Sequence, residues 1–175
     1  RRDLFIDMIK KAHNTSAMYS LMDWVNLMCN EMDIRGVAHR GYFGSITSFK
    51  SYYDTSMSLI DLKTARSLFD PDWPIYTRTS DSCPTQYLEG ADVKASVISN
   101  GCRIEGTIDH SILSRGCIIK KGAVVKNCVI LPDVVIGEDT VLENVVVDKH
   151  VRINHIKEVK GTPEHPGYVK RGDHL

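Results

Sequence analysis

Residues 111 to 153 read SILSRGCIIKKGAVVKNCVILPDVVIGEDTVLENVVVDKHVRI, and the spacing inside this stretch decides the fold. A small or apolar residue followed two places later by an aliphatic one recurs as Ser111/Leu113, Cys117/Ile119, Ala123/Val125, Cys128/Ile130, Val134/Ile136, Thr140/Leu142, Val145/Val147 and Val151/Ile153. The steps are 6, 6, 5, then 6, 6, 5, then 6, a period of 17 residues in three short runs. Two earlier pairs, Ser96/Ile98 and Cys102/Ile104, belong to a shorter repeat of 15 that runs from Ser96 to Ser111. Alternation within each run is the strand signal. Turn formers separate the runs: Asn100-Gly101, Arg115-Gly116, Lys121-Gly122, Pro132-Asp133, Glu138-Asp139 and Asp148-Lys149.

Three six-residue runs per turn are the mark of a parallel β-helix with a triangular section. Each coil covers the apolar edge of the next, so no coil stands alone. A sandwich of short antiparallel strands would not hold a six-residue step over ten pairs. In the solenoid Cys102, Cys117 and Cys128 take small inward positions, where a thiol serves as a compact hydrophobe rather than as a nucleophile or metal ligand.

Outside that stretch the composition changes. Of the 175 residues, all six methionines fall before residue 58, and twelve of the thirteen aromatics lie between Phe5 and Tyr87. Ala91 to Ile153 holds 21 Val or Ile, against 8 in the first 90 residues. Two architectures are therefore expected in one chain, stacked strands following a mixed globular segment. The boundaries drawn from this are 1–70 for the C-terminal remnant of an α/β domain, 71–90 for a linker, and 91–175 for the β-helix. Pro71 to Pro84 carries three of the six prolines, which is the linker signal.

Within the first part, helical spacing appears over Asp3 to Lys11, over Ser20 to Met32, and from Thr47 through Phe49, Tyr52, Tyr53, Met57 and Ile60. Ser45 or Thr47 would cap the third helix. A fourth turn of helix is expected over Lys63 to Phe69. Ile34, Val37 and Ala38 leading into Gly41-Tyr42-Phe43-Gly44 predict one short strand. That is too little for an independent sheet, and the opening Arg1 in place of Met also suggests a piece of a longer α/β protein.

Charge excludes several function classes. Twenty-two Lys and Arg balance 22 Asp and Glu, so broad phosphate attraction of the kind nucleic-acid readers use is not expected. No apolar run approaches a membrane span and no secretion leader opens the chain. Five cysteines without a CxxC pair exclude a disulfide framework and a zinc ribbon, and suit a reducing cytoplasm.

The run SVISNGCRIEGTIDHSILSRGCIIKKGAVVKNCVIL, with GYFGSI and DWPIYTR before it and VVVDKHVRI after it, resembles the ADP-glucose pyrophosphorylases (glucose-1-phosphate adenylyltransferases), and within them the C-terminal part of a subunit of bacterial glycogen biosynthesis. The resemblance implies a left-handed β-helix used in oligomerisation and regulation, behind a nucleotidyltransferase domain that makes ADP-glucose from ATP and glucose 1-phosphate with Mg²⁺. It implies tetramers, homomeric or mixed with a catalytic subunit. The family's nucleotide-binding half, with its Gly-rich phosphate loop, is missing from the 175 residues, so no activity is expected of this segment alone.

One departure bears on chemistry. Catalytic members carry an aspartate in a GYW-x-D-[VI]-G-T motif that helps to hold Mg²⁺; here GYFGSITS puts Ser45 at that place and Thr47 at the glycine. A neutral hydroxyl is a much poorer ligand for a hard divalent ion than a carboxylate. This predicts a non-catalytic, modulating and assembly subunit; the alternative is a competent adenylyltransferase subunit in which Ser45 is only a helix cap. The stretch VVVDKHVRI resembles the family's IIDKNxRIG, whose lysine binds anionic activators, which makes Lys149, with Arg152 and Lys157, the candidate effector-binding set for a sugar phosphate or phosphoglycerate. Asn154 stands at the family's glycine, and a solvated charged rim is the competing reading. A hexapeptide acyltransferase using His110 or His150 as base is a remote alternative, and His150, His155 and His165 match no zinc pattern.

Overall fold

The computed structural model describes residues 1–15, 20–69, 71–72, 74–77, 79 and 81–173. Trp73 and Arg78 of the DWPIYTR stretch, Asp70 and His174 lie outside the described residues. The chain forms two compact units, Arg1–Arg40 and Gly41–Leu175.

The first unit holds α1 (Arg2–Thr15) and α2 (Leu21–Met28), which pack on each other. Ser20 starts α2 with a reciprocal cap: its hydroxyl accepts from the Asp23 N–H while the Asp23 carboxylate accepts from the Ser20 N–H. The helix stops at Met28 rather than running on to Met32, because the Cys29 N–H turns to the carbonyl of Asn26, tightening the last turn. The strand expected over residues 34–43 does not form: the described backbone there is irregular. A strand needs a neighbouring edge to bond; among the described residues no strand pairs with this stretch, and Val37 and Phe43 stand in solvent.

In the second unit α3 (Phe49–Ser58) is capped by Ser48, not by Ser45 or Thr47. Ser48 is extended, its hydroxyl accepts from the Ser51 N–H, and Ser51 returns a bond to the Ser48 N–H. The fourth helix, α4 (Leu62–Leu68), begins at Asp61, whose carboxylate accepts from the Thr64 N–H.

The rest is a parallel β-helix. Its strands follow in threes: β1 (Gln86–Tyr87), β2 (Asp92–Lys94), β3 (Val97–Ile98); β4 (Arg103–Ile104), β5 (Thr107–Asp109), β6 (Ile112–Leu113); β7 (Ile118–Ile119), β8 (Val124–Lys126), β9 (Val129–Ile130); β10 (Val135–Ile136), β11 (Val141–Glu143), β12 (Val145–Val147); β13 (Arg152–Ile153), β14 (Glu158–Lys160), β15 (Gly167–Val169). Every third strand pairs in parallel, giving three five-stranded sheets ordered β1-β4-β7-β10-β13, β2-β5-β8-β11-β14 and β3-β6-β9-β12-β15.

The register reproduces the repeat. Ile118 lies opposite Val135 and Val135 opposite Arg152, each 17 residues on, while Val97 opposite Ile112 shows the 15-residue step. The inward pairs from Cys102/Ile104 to Val151/Ile153 are all buried. One pair escaped the periodicity, Gly106/Ile108, because the corner between β4 and β5 is two residues shorter than those below it. Only glycine fits that short corner: a Cβ on Gly106 would collide with the carbonyl of Ala123 and come within 2.9 Å of that of Lys120. β1 opens the solenoid inside the stretch assigned to the linker, and β14 and β15 extend it beyond Ile153. Between those last two strands five extra residues enter, so Val145 faces Gly167 across 22 positions.

Corners between strands use the left-handed backbone at Gly101, Gly116, Gly122, Asn127, Asp133, Asp139 and Asn144, the residue types that adopt it at least cost. Outside the helix, α3 lies on the third sheet: Tyr53 packs with Val129 and Val146, flanked by Tyr52 and Met57, and Phe49 meets Tyr168 edge-on at 5.4 Å. Among the described residues no helix is long and apolar enough to cross a membrane.

Candidate functional site

Ser45 sits in an exposed, irregular stretch that folds back on α3. Gly44 lets it approach: a Cβ there would come within 2.7 Å of Thr55 Cγ2. The Tyr42 hydroxyl meets Ser58 Oγ at 2.8 Å, holding the same stretch to the end of the helix. Residues 41–48 contain no carboxylate, and among the described residues no cluster of three His, Cys, Asp or Glu is placed to hold a metal. The side-chain oxygens within 41–48 are hydroxyls, poorer ligands for Mg²⁺ than carboxylates.

The three candidate effector cations do not converge. Lys149 tops the corner entering β13, Arg152 faces outward from β13 itself, and Lys157 stands at the corner leaving it. All three are exposed. Lys149 leans on an ordered corner, because the Asp148 carboxylate accepts from the Lys149 N–H at 2.7 Å and from the Tyr168 hydroxyl at 3.0 Å. Those two bonds, the backbone one first, hold the Asp148 carboxyl below the usual carboxylate range. The five-residue insertion shifts the last strand so that Val169 faces Val147, and the Arg171 backbone N–H reaches the Asp148 carboxylate, next to Lys149 in the chain. Sequence spacing alone could not bring Arg171 there, since the 17-residue period points to residue 166.

Around Lys157 the structure forms a notch of about 370 Å³ lined by Lys120, Gly137, Glu138, Asn154 and Lys157. Only Lys157 of this set was marked by sequence. The Lys157 ammonium donates to the carbonyl of Glu138 at 2.9 Å.

The histidines read as corner residues. His110 Nδ1 meets Asn127 Oδ1 at 2.9 Å, and His150 Nδ1 lies 3.4 Å from Asp133 on the coil before. Both have positive φ, as corners require. Buried Cys117 and Cys128 are held as neutral thiols: desolvation pushes the Cys128 thiol up to about 12, and Cys117 donates to the Leu131 carbonyl at 3.3 Å. Neither is poised as a nucleophile.

Residues 84–165 match a family model described as the GlmU-like, C-terminal hexapeptide. The chain is 39% identical over 160 residues, 91% of its length, to the glycogen biosynthesis protein GlgD of Bacillus subtilis, of which it covers 47%. It is 49% identical over 118 residues, 67% of its length, to GlgD of Geobacillus stearothermophilus, of which it covers 34%. The glucose-1-phosphate adenylyltransferase of Streptomyces coelicolor is 37% identical over 86 residues, 49% of this chain and 22% of that enzyme. The chain thus spans less than half the length of each of these relatives.

Proposed function

We propose, from its 39% identity over 91% of its length to a GlgD glycogen-biosynthesis protein, that the chain is the C-terminal part of a GlgD-type subunit of the glucose-1-phosphate adenylyltransferase family, one that modulates and assembles with a catalytic partner rather than catalysing itself. The reaction served is formation of ADP-glucose from ATP and glucose 1-phosphate, in the cytoplasm, for glycogen synthesis. The observation that carries this reading is the stretch from Gly41 to Ser48, which offers Ser45 and Thr47 where the family motif offers a carboxylate and a glycine. Metal chemistry in the assembly then rests on carboxylates of the partner. The docked helix supports the assembly role: α3 joins the Ser45 stretch to the solenoid through Tyr53 and Phe49, a continuous packed path between the two. Lys149, Arg152 and Lys157, all exposed around β13, are the cations on which an anionic effector would act.

The test is an assay of the full-length subunit for ADP-glucose formation, alone and mixed with a catalytic subunit. Silence alone, with a changed rate or activation in the mixture, is the expected result. Robust turnover by the subunit alone overturns the reading and makes it a competent adenylyltransferase in which Ser45 has no catalytic consequence. Ser45→Asp is expected to raise the activity of the subunit alone only if the remaining carboxylates of a metal site are present.

A further inference from the structure

Thr85, Cys102, Cys117, Val134 and Val151 stack one per coil at the corner that leads into the first sheet. Among the described residues this is the one place where two thiols stand in register on adjacent coils. Cys128 has Ser111 on the coil before it and Val145 on the coil after. The short corner at Gly106 creates the pair, because a 17-residue step would leave Cys102 two places out of register with Cys117. Adjacent ladder positions lie about 4.8 Å apart, inside the range of about 4.4–6.8 Å that a disulfide spans between Cα atoms. Both side chains are buried in the core.

The corner also supplies donors. At equivalent places in this fold a hydroxyl accepts the N–H of the next coil: the Ser111 N–H donates to Ser96 Oγ, that of Cys128 to Ser111 Oγ, and that of Cys102 to Thr85 Oγ1. At Cys102 a sulfur takes the hydroxyl's place. The Cys117 thiol, the backbone N–H groups of Cys117 and Gly116, and the Thr85 hydroxyl all hydrogen-bond to it. As a neutral thiol Cys102 itself donates to the Ser114 carbonyl at 3.2 Å. Donors around a sulfur favour its thiolate. The Cys117 thiol first, then the other donors, hold Cys102 below the ordinary thiol range against the desolvation that opposes them. Cys117 is pushed the other way, by the hydrogen bond it gives to Cys102 and by its own burial.

We propose that Cys102 and Cys117 close a reversible disulfide between the second and third coils when a small hydroperoxide oxidises the chain. The Cys102 sulfur attacks one peroxide oxygen as the O–O bond breaks, and the leaving oxygen takes the Cys102 proton. With hydrogen peroxide that product is water. Cys117 then attacks the Cys102 sulfenic acid: the S–S bond forms, the S–O bond breaks, and the Cys117 proton leaves with the hydroxyl as a second water. Two thiols lose two electrons and two protons, and the peroxide is reduced. An added thiol reverses the bond by exchange. Entry is from the open end of the solenoid. Only one coil covers Cys102 there, and its Tyr87, in register with fully buried Ile104, is 58% exposed. A hydroperoxide is small enough for that route, whereas an alkylating reagent is not. The inference stands independently of the modulatory reading.

The experiment uses the 175-residue chain carrying Cys29→Ser and Cys83→Ser, which removes the two exposed thiols. The folded chain is treated with hydrogen peroxide, denatured with an alkylating reagent, and cut with trypsin, which separates the pair at Arg103 and Arg115. Mass spectrometry is expected to show the two peptides joined with the loss of two hydrogens, Cys128 alkylated, and both thiols restored by a reductant. The oxidised chain should melt at a higher temperature, because the bond closes a loop of the unfolded chain. Cys117→Ser should leave a sulfenic acid on Cys102 that dimedone traps; Cys102→Ser should leave Cys117 unmodified. Both variants are expected to fold, since Ser111 already fills the equivalent corner, and their melting curves check it. No joined peptides, oxidation of Cys128 as fast as of the pair, or a dimedone adduct on Cys117 in Cys102→Ser each overturns the proposal.

Discussion

The hydroxyl of Tyr53, midway along α3, donates to the backbone carbonyl of Asn127, 2.7 Å away at a left-handed corner of the solenoid and 74 residues on in sequence. The ring itself is buried against Val129 and Val146. Removing the hydroxyl by Tyr53→Phe keeps the packing and leaves that carbonyl without its donor, so we expect a loss of about 1–2 kcal/mol in chemical denaturation. Burial, more than nearby charge, pushes the phenol up to about 12. An unfolded tyrosine titrates near 10, so the folded state holds this proton longer. The stabilisation is full below about pH 10 and falls as the pH rises toward 12. Denaturation curves across that window should show the fall in the natural chain and not in Tyr53→Phe.

Thiol chemistry separates the five cysteines. Cys29 and Cys83 are exposed, whereas Cys102, Cys117 and Cys128 are buried in the one core of the solenoid. An alkylating reagent at neutral pH should modify two thiols quickly and three only on unfolding, read by mass spectrometry of the native and denatured chain. Rapid native modification at Cys128 would show that the core opens more readily than its packing indicates.

The short corner at Gly106 should tolerate no side chain. Gly106→Ala drives a Cβ into two backbone carbonyls of the coil below, which cannot rotate away. We expect a cost of about 3 kcal/mol, seen as a lowered melting temperature. By contrast Thr140→Ala, on the same column, should cost about 1 kcal/mol, since its hydroxyl makes one long bond of 3.4 Å to the Ile156 carbonyl.

The second sheet carries an alternating charge column on its outer face: Lys94, Asp109, Lys126, Glu143 and Lys160 stand in register, one per strand. Neighbours in a parallel ladder lie about 4.8 Å apart, so a one-coil slip would set like charges together. Lys126→Glu should therefore destabilise by about 1 kcal/mol at low salt. Molar salt should remove most of that difference in denaturation curves, because the column is exposed and screened.

Much of this molecule was legible in its spacing. The alternation of Cys117/Ile119 through Val151/Ile153 allows only one way to put every aliphatic on one side of a short strand, and the 17-residue period then sets which strands pair. Capping was less legible: the start of α3 was expected at Ser45 or Thr47 and is capped by Ser48, because several hydroxyls stand side by side there and only the turn of the chain selects one. The strand expected near Val37 failed because a strand is completed by its neighbour, and neighbours are not local. Likewise the Gly106/Ile108 pair was hidden by a shortened corner, and β15 by an insertion that no period anticipates.

By itself, then, the sequence determined the repeat, the inward residues and the neutral Ser45 stretch, since each depends on residues close together in the chain or at a fixed step. Tertiary structure decided the rest: that α3 lies across the third sheet through Tyr53, that Arg171 reaches Asp148, that Lys149 and Lys157 stand at opposite ends of β13, and that Lys157 reaches the Glu138 carbonyl of the coil before. Those contacts depend on how far one coil rises over the last and on where a five-residue insertion shifts the register, and only the folded stack sets either distance.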